Sequence, residues 1–215
     1  MDAVIDFLPV LLRGFGTTLL LLVISGIGAF IVGLIIAAMR ISPVASLRGF
    51  ATVYTELLRN TPLTLVLFFC AFVLPYLGVR TEFFILALIG LTAYTSPFIA
   101  EAIRSGVNGV ALGQAEAARS LGLDFGQTLR TIVLPQAVRM VIPPLINVYI
   151  ALTKNTSVAG GFFVADLFLT GRDIINARGD AVFAILLTVA FFYLLITIPL
   201  GRLAAVVERK VAILR

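Results

Sequence analysis

The stretch EAARSLGLDFGQTLRTIVLP, residues 116–135, decides the fold, because it is the most polar part of a very apolar chain and lies near its middle. Residues 113–121 are rich in helix formers and predict a short helix. Glu116 falls in the first turn of that expected helix, where the helix dipole favours a carboxylate. Gly122 follows at the position where a helix end favours a residue that tolerates positive φ. The small side chains of this helix predict a surface that another protein can approach closely: Ala115, Ala117 and Ala118.

The second half of the stretch predicts a further turn and helix. Asp124 can cap a second short helix, and Gln127, three residues later, can reach back to the cap. Pro135 suits the first turn of the helix after that, because a proline lacks the N–H that a helix interior needs. The order expected is therefore helix, tight turn, helix and then an apolar segment.

Composition places the rest of the chain in a membrane. Of the 215 residues, 60% are hydrophobic and 13% are charged, and the mean hydropathy is +1.12. Soluble domains average about 25% charged residues. Each crossing of a bilayer needs about 20 apolar residues. We therefore expect an all-α polytopic membrane protein with no separate soluble domain.

Several kinds of chemistry are excluded by what the sequence lacks. It contains no histidine, which rules out histidine-ligated haem or metal sites and Ser-His catalysis by this chain alone. Its single cysteine, Cys70, cannot form an internal disulfide. No G-x-x-x-x-G-K-[ST] phosphate loop is present, so we expect no ATP hydrolysis by this chain and no metal site or cofactor in it. The net charge of +5 is scattered over segment ends, which indicates a membrane surface and not a nucleic acid.

The apolar runs predict five transmembrane helices: 15–38, 63–77, 83–100, 136–152 and 181–200. Residues 1–14 lack the basic region and cleavage site of a signal peptide, so we expect the first helix to remain in the mature protein. Pro62 opens the second crossing, and Pro143-Pro144 predict an interruption of the fourth. Residues 156–169 are too short to cross and predict a re-entrant or interfacial segment.

The basic residues predict the orientation, because cytoplasmic loops carry more lysine and arginine than external ones. With the N-terminus outside, the cytoplasmic side holds Arg40, Arg48, Arg59, Arg104, Arg119, Arg130, Arg139, Arg202, Arg209, Lys210 and Arg215. The outer side then holds only Arg13, Arg80, Lys154, Arg172 and Arg178. This orientation puts residues 116–135 and the C-terminus in the cytoplasm.

Two further patterns concern packing within the membrane. Glu56 with Arg59, and Glu101 with Arg104, are spaced i, i+3, which allows ion pairs on a helix. A stripe of small residues every four positions predicts close helix approach in the first crossing: Ala29, Gly33 and Ala37. The stripe can serve packing within the chain or contact with a second copy.

The central stretch also resembles a known family. The pattern E-A-A, three residues, Gly, nine residues, Ile, any residue, Leu-Pro is typical of the membrane subunits of bacterial ABC importers. It is matched without a gap by Glu116, Ala117, Ala118, Gly122, Ile132, Leu134 and Pro135. A narrower resemblance, to the permeases for polar amino acids, is carried by LLRNTPLTLVLFF (57–69), YTSPFIAEAIRSGV (94–107), LPQAVRMVIPPLIN (134–147) and LTKNTSVAG (152–160).

The resemblance implies an architecture and partners. It implies the type I ABC importer fold, with an extracytoplasmic segment 1–14, a transmembrane domain 15–207 that includes a cytoplasmic coupling loop 105–135, and a tail 208–215. In the family the region around the second crossing is one long helix with a bend, which Pro62 would explain. Two ATPase subunits, using ATP and Mg, would bind the loops of a pair of permeases, identical or related. An extracytoplasmic binding protein would deliver the amino acid, and the resemblance is nearest to glutamate- or glutamine-type systems. The location implied is the bacterial inner membrane.

Candidates for the substrate path come from polar residues near broken helices, because transporters place ligand sites there. These are Tyr94, Thr95, Ser96, Asn147, Thr153, Lys154 and Asn155. Each can instead satisfy backbone groups beside a proline or cap a helix end.

Two other classes of function compete with an ABC permease. An ion-coupled secondary carrier usually has about 10 or more crossings and inverted repeats, which this sequence lacks. A membrane anchor for a respiratory or signalling complex is the second, and the absence of histidine argues against a haem anchor.

Overall fold

The computed structural model describes residues 2–212, and every regular element within that range is helical. Arg215 and the last residues of the predicted tail lie outside this range. In chain order the α-helices are α1 (Asp2–Ile41), α2 (Ala45–Arg59), α3 (Leu63–Phe68), α4 (Leu74–Tyr76), α5 (Phe83–Asn108), α6 (Leu112–Ser120), α7 (Phe125–Thr128), α8 (Leu134–Ala159), α9 (Leu167–Ala177) and α10 (Val182–Ala212). Single π-helical turns join α3 to α4 (Phe69–Val73) and α7 to α8 (Leu129–Val133).

The described residues contain four helices long and apolar enough to cross a membrane, which are Val4–Ile41, Phe83–Asn108, Phe125–Phe162 and Gly179–Lys210. A bent pair, Ala45–Arg59 and Leu63–Tyr76, passes the same test jointly and gives a fifth crossing when it is counted as one broken span. The two halves of this pair meet at an angle of 102°. Pro62 lies at the break, as the sequence predicted, because proline cannot continue the hydrogen-bond ladder of α2. With the bent pair counted in this way, the candidate crossings number five, as expected from the sequence.

The long helices pack side by side around α5, which contacts α1 on one side and α8 on the other. An added Cβ at Gly33 would lie 2.8 Å from Ile99 and from the Ser96 carbonyl oxygen. The stripe of small residues in α1 therefore allows α5 to pack closely against it. Ala29 and Ala37 are buried with it. The stripe therefore serves packing within the chain. The Tyr149 hydroxyl of α8 donates to the Gly26 carbonyl of α1 at 3.1 Å, so α1, α5 and α8 all contact one another.

Two expectations about element boundaries are corrected. The interruption predicted at Pro143-Pro144 is wrong, because α8 runs through both prolines to Ala159 and continues as a 3-10 turn to Phe162. Pro143 is buried, so packing against neighbouring helices holds the segment helical. The chain then turns at Phe163, which has a φ of 65°. The interfacial segment expected at 156–169 is replaced by the end of α8 and the start of α9, and the polar stretch 170–180 is largely helical.

The ends of the chain also differ from the predicted segments. Residues 2–14 form one continuous helix with the first crossing, and α10 runs on to Ala212. The structure therefore marks no break at residue 15 or 207. The domain limits drawn there remain predictions.

Candidate functional site

The polar central stretch folds into a helical hairpin at one end of the bundle. Helix α6 ends at Ser120, and the chain reverses at Gly122, whose φ is 86°. This left-handed conformation has a steric cost for any residue with a Cβ, which explains the glycine. Asp124 then caps α7 as expected, because its carboxylate accepts the Gln127 N–H at 2.8 Å and the Gln127 side chain accepts the Asp124 N–H at 3.0 Å.

The second helix of this hairpin is not a separate short helix, as the sequence suggested. From Phe125 the chain is helical without a break to Phe162, through the π-helical turn Leu129–Val133 and across the membrane. Pro135 occupies the first turn of α8 inside this continuous rod, where its missing N–H is tolerated. The side chains of Gln136 and Gln114 are hydrogen-bonded, which ties α6 to the base of α8. The hairpin is therefore continuous with a membrane-spanning helix and hydrogen-bonded to its base.

The faces of α6 differ from the expectation. Because α6 begins at Leu112, Glu116 lies in its second turn and not its first. Ala118 is buried and Ala115 is half-buried, so these two alanines pack inward, and of the three only Ala117 is exposed. Glu116 is exposed beside it. The prediction of one low-bulk alanine face is therefore wrong: the alanines allow the hairpin to close on itself.

Sequence reasoning missed three apolar residues on the outside of the hairpin. Leu112, Leu121 and Phe125 are exposed by 81%, 84% and 69%. We call these three residues the apolar tip. The signal that could have found it is the presence of large apolar side chains within or just before the most polar stretch of the chain. Exposed apolar groups on a polar surface mark contact sites.

The other residues of the family pattern lie between the tip and the membrane. Ile132 is half-buried, whereas Leu134 and Pro135 are exposed. All three belong to the continuous helix, on either side of the junction between the π-helical turn and α8.

A cavity of about 390 Å³ lies between α5 and α8. Four of the seven predicted substrate-path residues line it, namely Tyr94, Thr95, Asn147 and Asn155. The remaining lining is mainly apolar and comes from Phe98, Val148, Ala151 and Leu152. The Thr95 hydroxyl is buried and has no partner among the described residues. The cavity thus offers two amides and two hydroxyls within apolar walls.

The other three predicted residues have different surroundings. Ser96 is buried, and its hydroxyl donates to the Ala93 carbonyl at 3.1 Å. Because Pro97 has no N–H to offer that carbonyl, this bond confirms the expectation that a hydroxyl would satisfy the backbone beside the proline. Thr153 is buried and donates to the Tyr149 carbonyl at 2.9 Å, and Lys154 is exposed outside the cavity.

A cluster of charge lies below the cavity, near the end of α5 that leads to the hairpin. Glu101 is ion-paired with Arg104, as its i, i+3 spacing predicted. It also binds Arg40 of α1 at 3.3 Å and approaches Arg59 of α2 at 3.9 Å. The Arg59 guanidinium lies 5.7 Å from the ring centre of Phe98, which lines the cavity. We call these four charged residues the Glu101 cluster.

The predicted pair between Glu56 and Arg59 does not form. Arg59 reaches across to Glu101, while the carboxylate of Glu56 accepts from Asn60 at 3.4 Å. One carboxylate therefore joins three helices at this end of the bundle.

Comparison with known proteins agrees with this architecture. Residues 29–213 match the sequence pattern of the family described as "Binding-protein-dependent transport system inner membrane component". The chain is 44% identical over 208 residues to the Glutamate transport system permease protein GluC of Corynebacterium glutamicum, covering 91% of each. It is 43% identical over 196 residues to the Probable glutamine ABC transporter permease protein GlnM of Bacillus subtilis, covering 91% of this chain and 90% of that protein.

Solved structures give the same picture. A chain from a crystal structure of an amino acid ABC transporter with histidines superposes with a TM-score of 0.88 at 30% identity, covering 96% of both chains. A chain of the MetNI methionine ABC transporter, in an inward-facing conformation, gives a TM-score of 0.72 at 21% identity and covers 94% and 98%. The second likeness concerns the fold alone.

Proposed function

Because the chain belongs to the family of binding-protein-dependent transport system inner membrane components, we propose that it is the permease subunit of an ATP-driven ABC importer of polar amino acids. The observation that carries the proposal is the hairpin, which exposes the apolar tip and whose second helix, beginning at Phe125, is continuous with a membrane crossing. A chain with no phosphate loop needs such a contact to receive energy from a partner. ATP and Mg are used by the partner ATPase subunits and not by this chain.

The coupling loop, residues 105–135, binds the ATPase at the cytoplasmic face. Leu112, Leu121 and Phe125 enter an apolar groove of the partner, with Glu116 supplying charge beside them. Gly122 and the buried alanine Ala118 keep the hairpin tight. Through Ile132, Leu134 and Pro135 the motion passes to α8, so closure of the ATPases on ATP opens the bundle outward.

Replacement of Phe125 by alanine is expected to weaken binding of the cognate ATPase about tenfold, since burial of an aromatic side chain contributes about 1.5 kcal/mol or more. The measurement is titration of the ATPase onto the purified permease in nanodiscs. Phe183→Ala, which removes another exposed phenylalanine from the start of α10, serves as the matched control and should leave binding unchanged. Equal affinities for the two variants would count against the apolar tip as the ATPase contact.

The cavity between α5 and α8 is the substrate path. Tyr94, Thr95, Asn147 and Asn155 give hydrogen-bonding groups of both polarities without a fixed charge, which suits a zwitterionic amino acid in transit. Lys154, one residue from Asn155, is the nearest exposed cation along α8. Ser96 and Thr153 do not line the path, but they stabilise α5 and α8 beside it by donating hydrogen bonds to backbone carbonyls of their own helices.

Substitution of Ala151 by phenylalanine is expected to lower uptake about tenfold, because the added ring occupies the cavity that Ala151 lines. The measurement is the initial rate of ATP-dependent amino-acid uptake into proteoliposomes. Ala190→Phe, at an exposed position of α10 away from this cavity, is the control and should retain uptake. Full uptake by Ala151→Phe would place the path elsewhere.

The proposal extends to the substrate and to the assembly. Relatives named for glutamate and glutamine support an amino acid of that type as the cargo. Two copies of the permease, or this chain with a related one, enclose the pathway and bind two ATPases, and an extracytoplasmic binding protein delivers the substrate. The bias of lysine and arginine supports an inner-membrane orientation with the N-terminus outside and the C-terminus in the cytoplasm.

Two rivals are separated from this proposal by one experiment. An ion-coupled carrier would continue uptake when the ATPase is omitted from the proteoliposomes, and a membrane anchor would show no uptake with or without it. Uptake that requires the ATPase, ATP and the binding protein together supports an ABC permease.

A further inference from the structure

A buried polar cluster lies at the end of the bundle opposite the coupling loop. It consists of Asp166, which caps the start of α9, and the hydroxyl groups of Thr18 on α1, Thr156 on α8 and Tyr193 on α10. Asp166, Thr18 and Thr156 each have 0% exposed surface. These residues neither line the cavity nor belong to the loop, so the transport function proposed above gives them no role. We call them the Asp166 junction.

Only one of the two oxygens of the Asp166 carboxyl group has a hydrogen-bond partner among the described residues. Its Oδ1 accepts the Leu169 N–H at 2.8 Å, which caps α9. Its Oδ2 is buried without a partner among the described residues, and so is the hydroxyl of Tyr193. An ionised carboxylate can only accept hydrogen bonds, whereas a protonated one also donates. A proton on Oδ2 therefore removes the negative charge that this site leaves without a donor.

The junction leaves little room for water to hydrate a charge. A Cβ added at Gly160 would lie 2.6 Å from Asp166 Oδ1, and one added at Gly14 would lie 3.0 Å from the Asp166 carbonyl oxygen. Apolar side chains, including Leu167 and Phe192, form the adjoining core. Close packing of this kind favours the neutral form of a carboxyl group, because a dehydrated charge has a large free-energy cost.

The electrostatics agree with the packing. Asp166 lies between the crossings that end at Phe162 and begin at Gly179. Burial raises its pKa from the ordinary 3.8 to about 7, and the hydrogen bond from Leu169 opposes the rise only in part. Tyr193 is the titratable side chain that faces it from α10. The charged groups on the other packed elements are exposed: Arg13 of α1, Lys154 of α8, and Arg172 and Asp173 of α9.

We propose that Asp166 is a proton-binding site that holds α1, α8, α9 and α10 together at this end of the bundle. The Thr18 hydroxyl accepts the Leu167 N–H at 3.1 Å, so α1 is attached directly beside the carboxyl group. The bound proton keeps the carboxyl group neutral where it is packed between these helices and where Oδ2 has no donor. Loss of the proton leaves a buried charge without a donor and loosens the junction.

The sign of the pH dependence follows from the raised pKa. The folded chain holds the proton in a pH range where the unfolded chain has already lost it, so folding is favoured by acid. This contribution is full below about pH 4 and is lost as the pH rises through about 7. Between pH 6 and pH 8 we expect the midpoint of thermal unfolding to fall by about 3–5 °C.

The test compares thermal unfolding of the purified full-length protein in nanodiscs at pH 6 and pH 8. Asp166→Asn keeps the size and the capping oxygen and carries a permanent donor, so its midpoint should not change over this range. Asp173→Asn makes the same substitution at an exposed site of the same helix and should keep the fall seen in the native chain. An equal fall in the native chain and Asp166→Asn would overturn the proposal.

Infrared spectroscopy provides a second measurement, because it detects the protonated carboxyl group itself. A purely structural role of Asp166 would produce no change in that signal with pH. The native protein should show the C=O band of a protonated carboxylic acid at pH 6 that disappears by pH 8, and the band should be present in Asp173→Asn. If Asp166→Asn fails to fold, the titration of this band in the native chain still decides the matter. Absence of any carboxylic acid band at pH 6 would overturn the proposal.

Discussion

Replacement of Gly122 by valine is expected to lower ATP-dependent uptake about 30-fold, although no neighbouring atom lies within 4 Å of an added Cβ. The reason is the backbone, because Gly122 holds a φ of 86° where the hairpin of the coupling loop reverses. A β-branched residue is strained there by about 2 kcal/mol, which corresponds to that factor. The measurement is the initial rate of amino-acid uptake into proteoliposomes that contain the permease, its ATPase and the binding protein.

Gly113 supplies the matched control for this experiment. It also lies in the loop with no atom within 4 Å of an added Cβ, but it belongs to α6 and lacks a positive φ. Gly113→Val should therefore keep uptake within about twofold of the native rate. Gly122→Asn should fall between the two, because asparagine tolerates this conformation better than other residues. If Gly122→Val and Gly113→Val transport equally well, the turn is not what couples the loop to transport.

Removal of the charge of Glu101 should destabilise the permease by about 2–3 kcal/mol, below the 3–5 kcal/mol typical of a fully buried ion pair. The Glu101 side chain is 25% exposed, which explains the smaller figure. Glu101→Gln leaves Arg40, Arg59 and Arg104 close together without their shared carboxylate. The free energy of unfolding, from denaturant titration of the purified chain in detergent, measures the loss.

The control is Glu82→Gln, the same substitution at an exposed residue before α5 that caps the helix with no side-chain hydrogen bond. Its unfolding free energy should stay within about 0.5 kcal/mol of the native value. A loss of similar size in Glu82→Gln would mean that the Glu101 cluster contributes nothing specific to the bundle.

The features that the sequence predicts well are those set by neighbouring residues. The reversal at Gly122 and the capping box of Asp124 and Gln127 depend on a few consecutive positions, and both form. The bend at Pro62 is local in the same way. Pro143-Pro144 looked equally local, yet α8 passes through them, because its path is set by packing against α5 and α10. Packing between distant segments is not visible in a local pattern.

In the candidate site, too, contacts between residues close in sequence were predicted and contacts between distant residues were not. Arg104 is three residues from Glu101 and its pairing was predicted, whereas Arg40 is 61 residues away and its pairing was not. Arg59 leaves its predicted partner Glu56 because the bend after α2 directs it towards α5. The burial of Ala118 likewise depends on how the two helices of the hairpin pack, which helix propensity alone does not determine.

The unbroken helix from Phe125 to Phe162 has a mechanical consequence. At 38 residues it is about 57 Å long, so a tilt of about 5° at the cytoplasmic end displaces the far end by about 5 Å. Because the helix is this long, a small movement of the partner ATPase is enough to open a passage as wide as an amino acid.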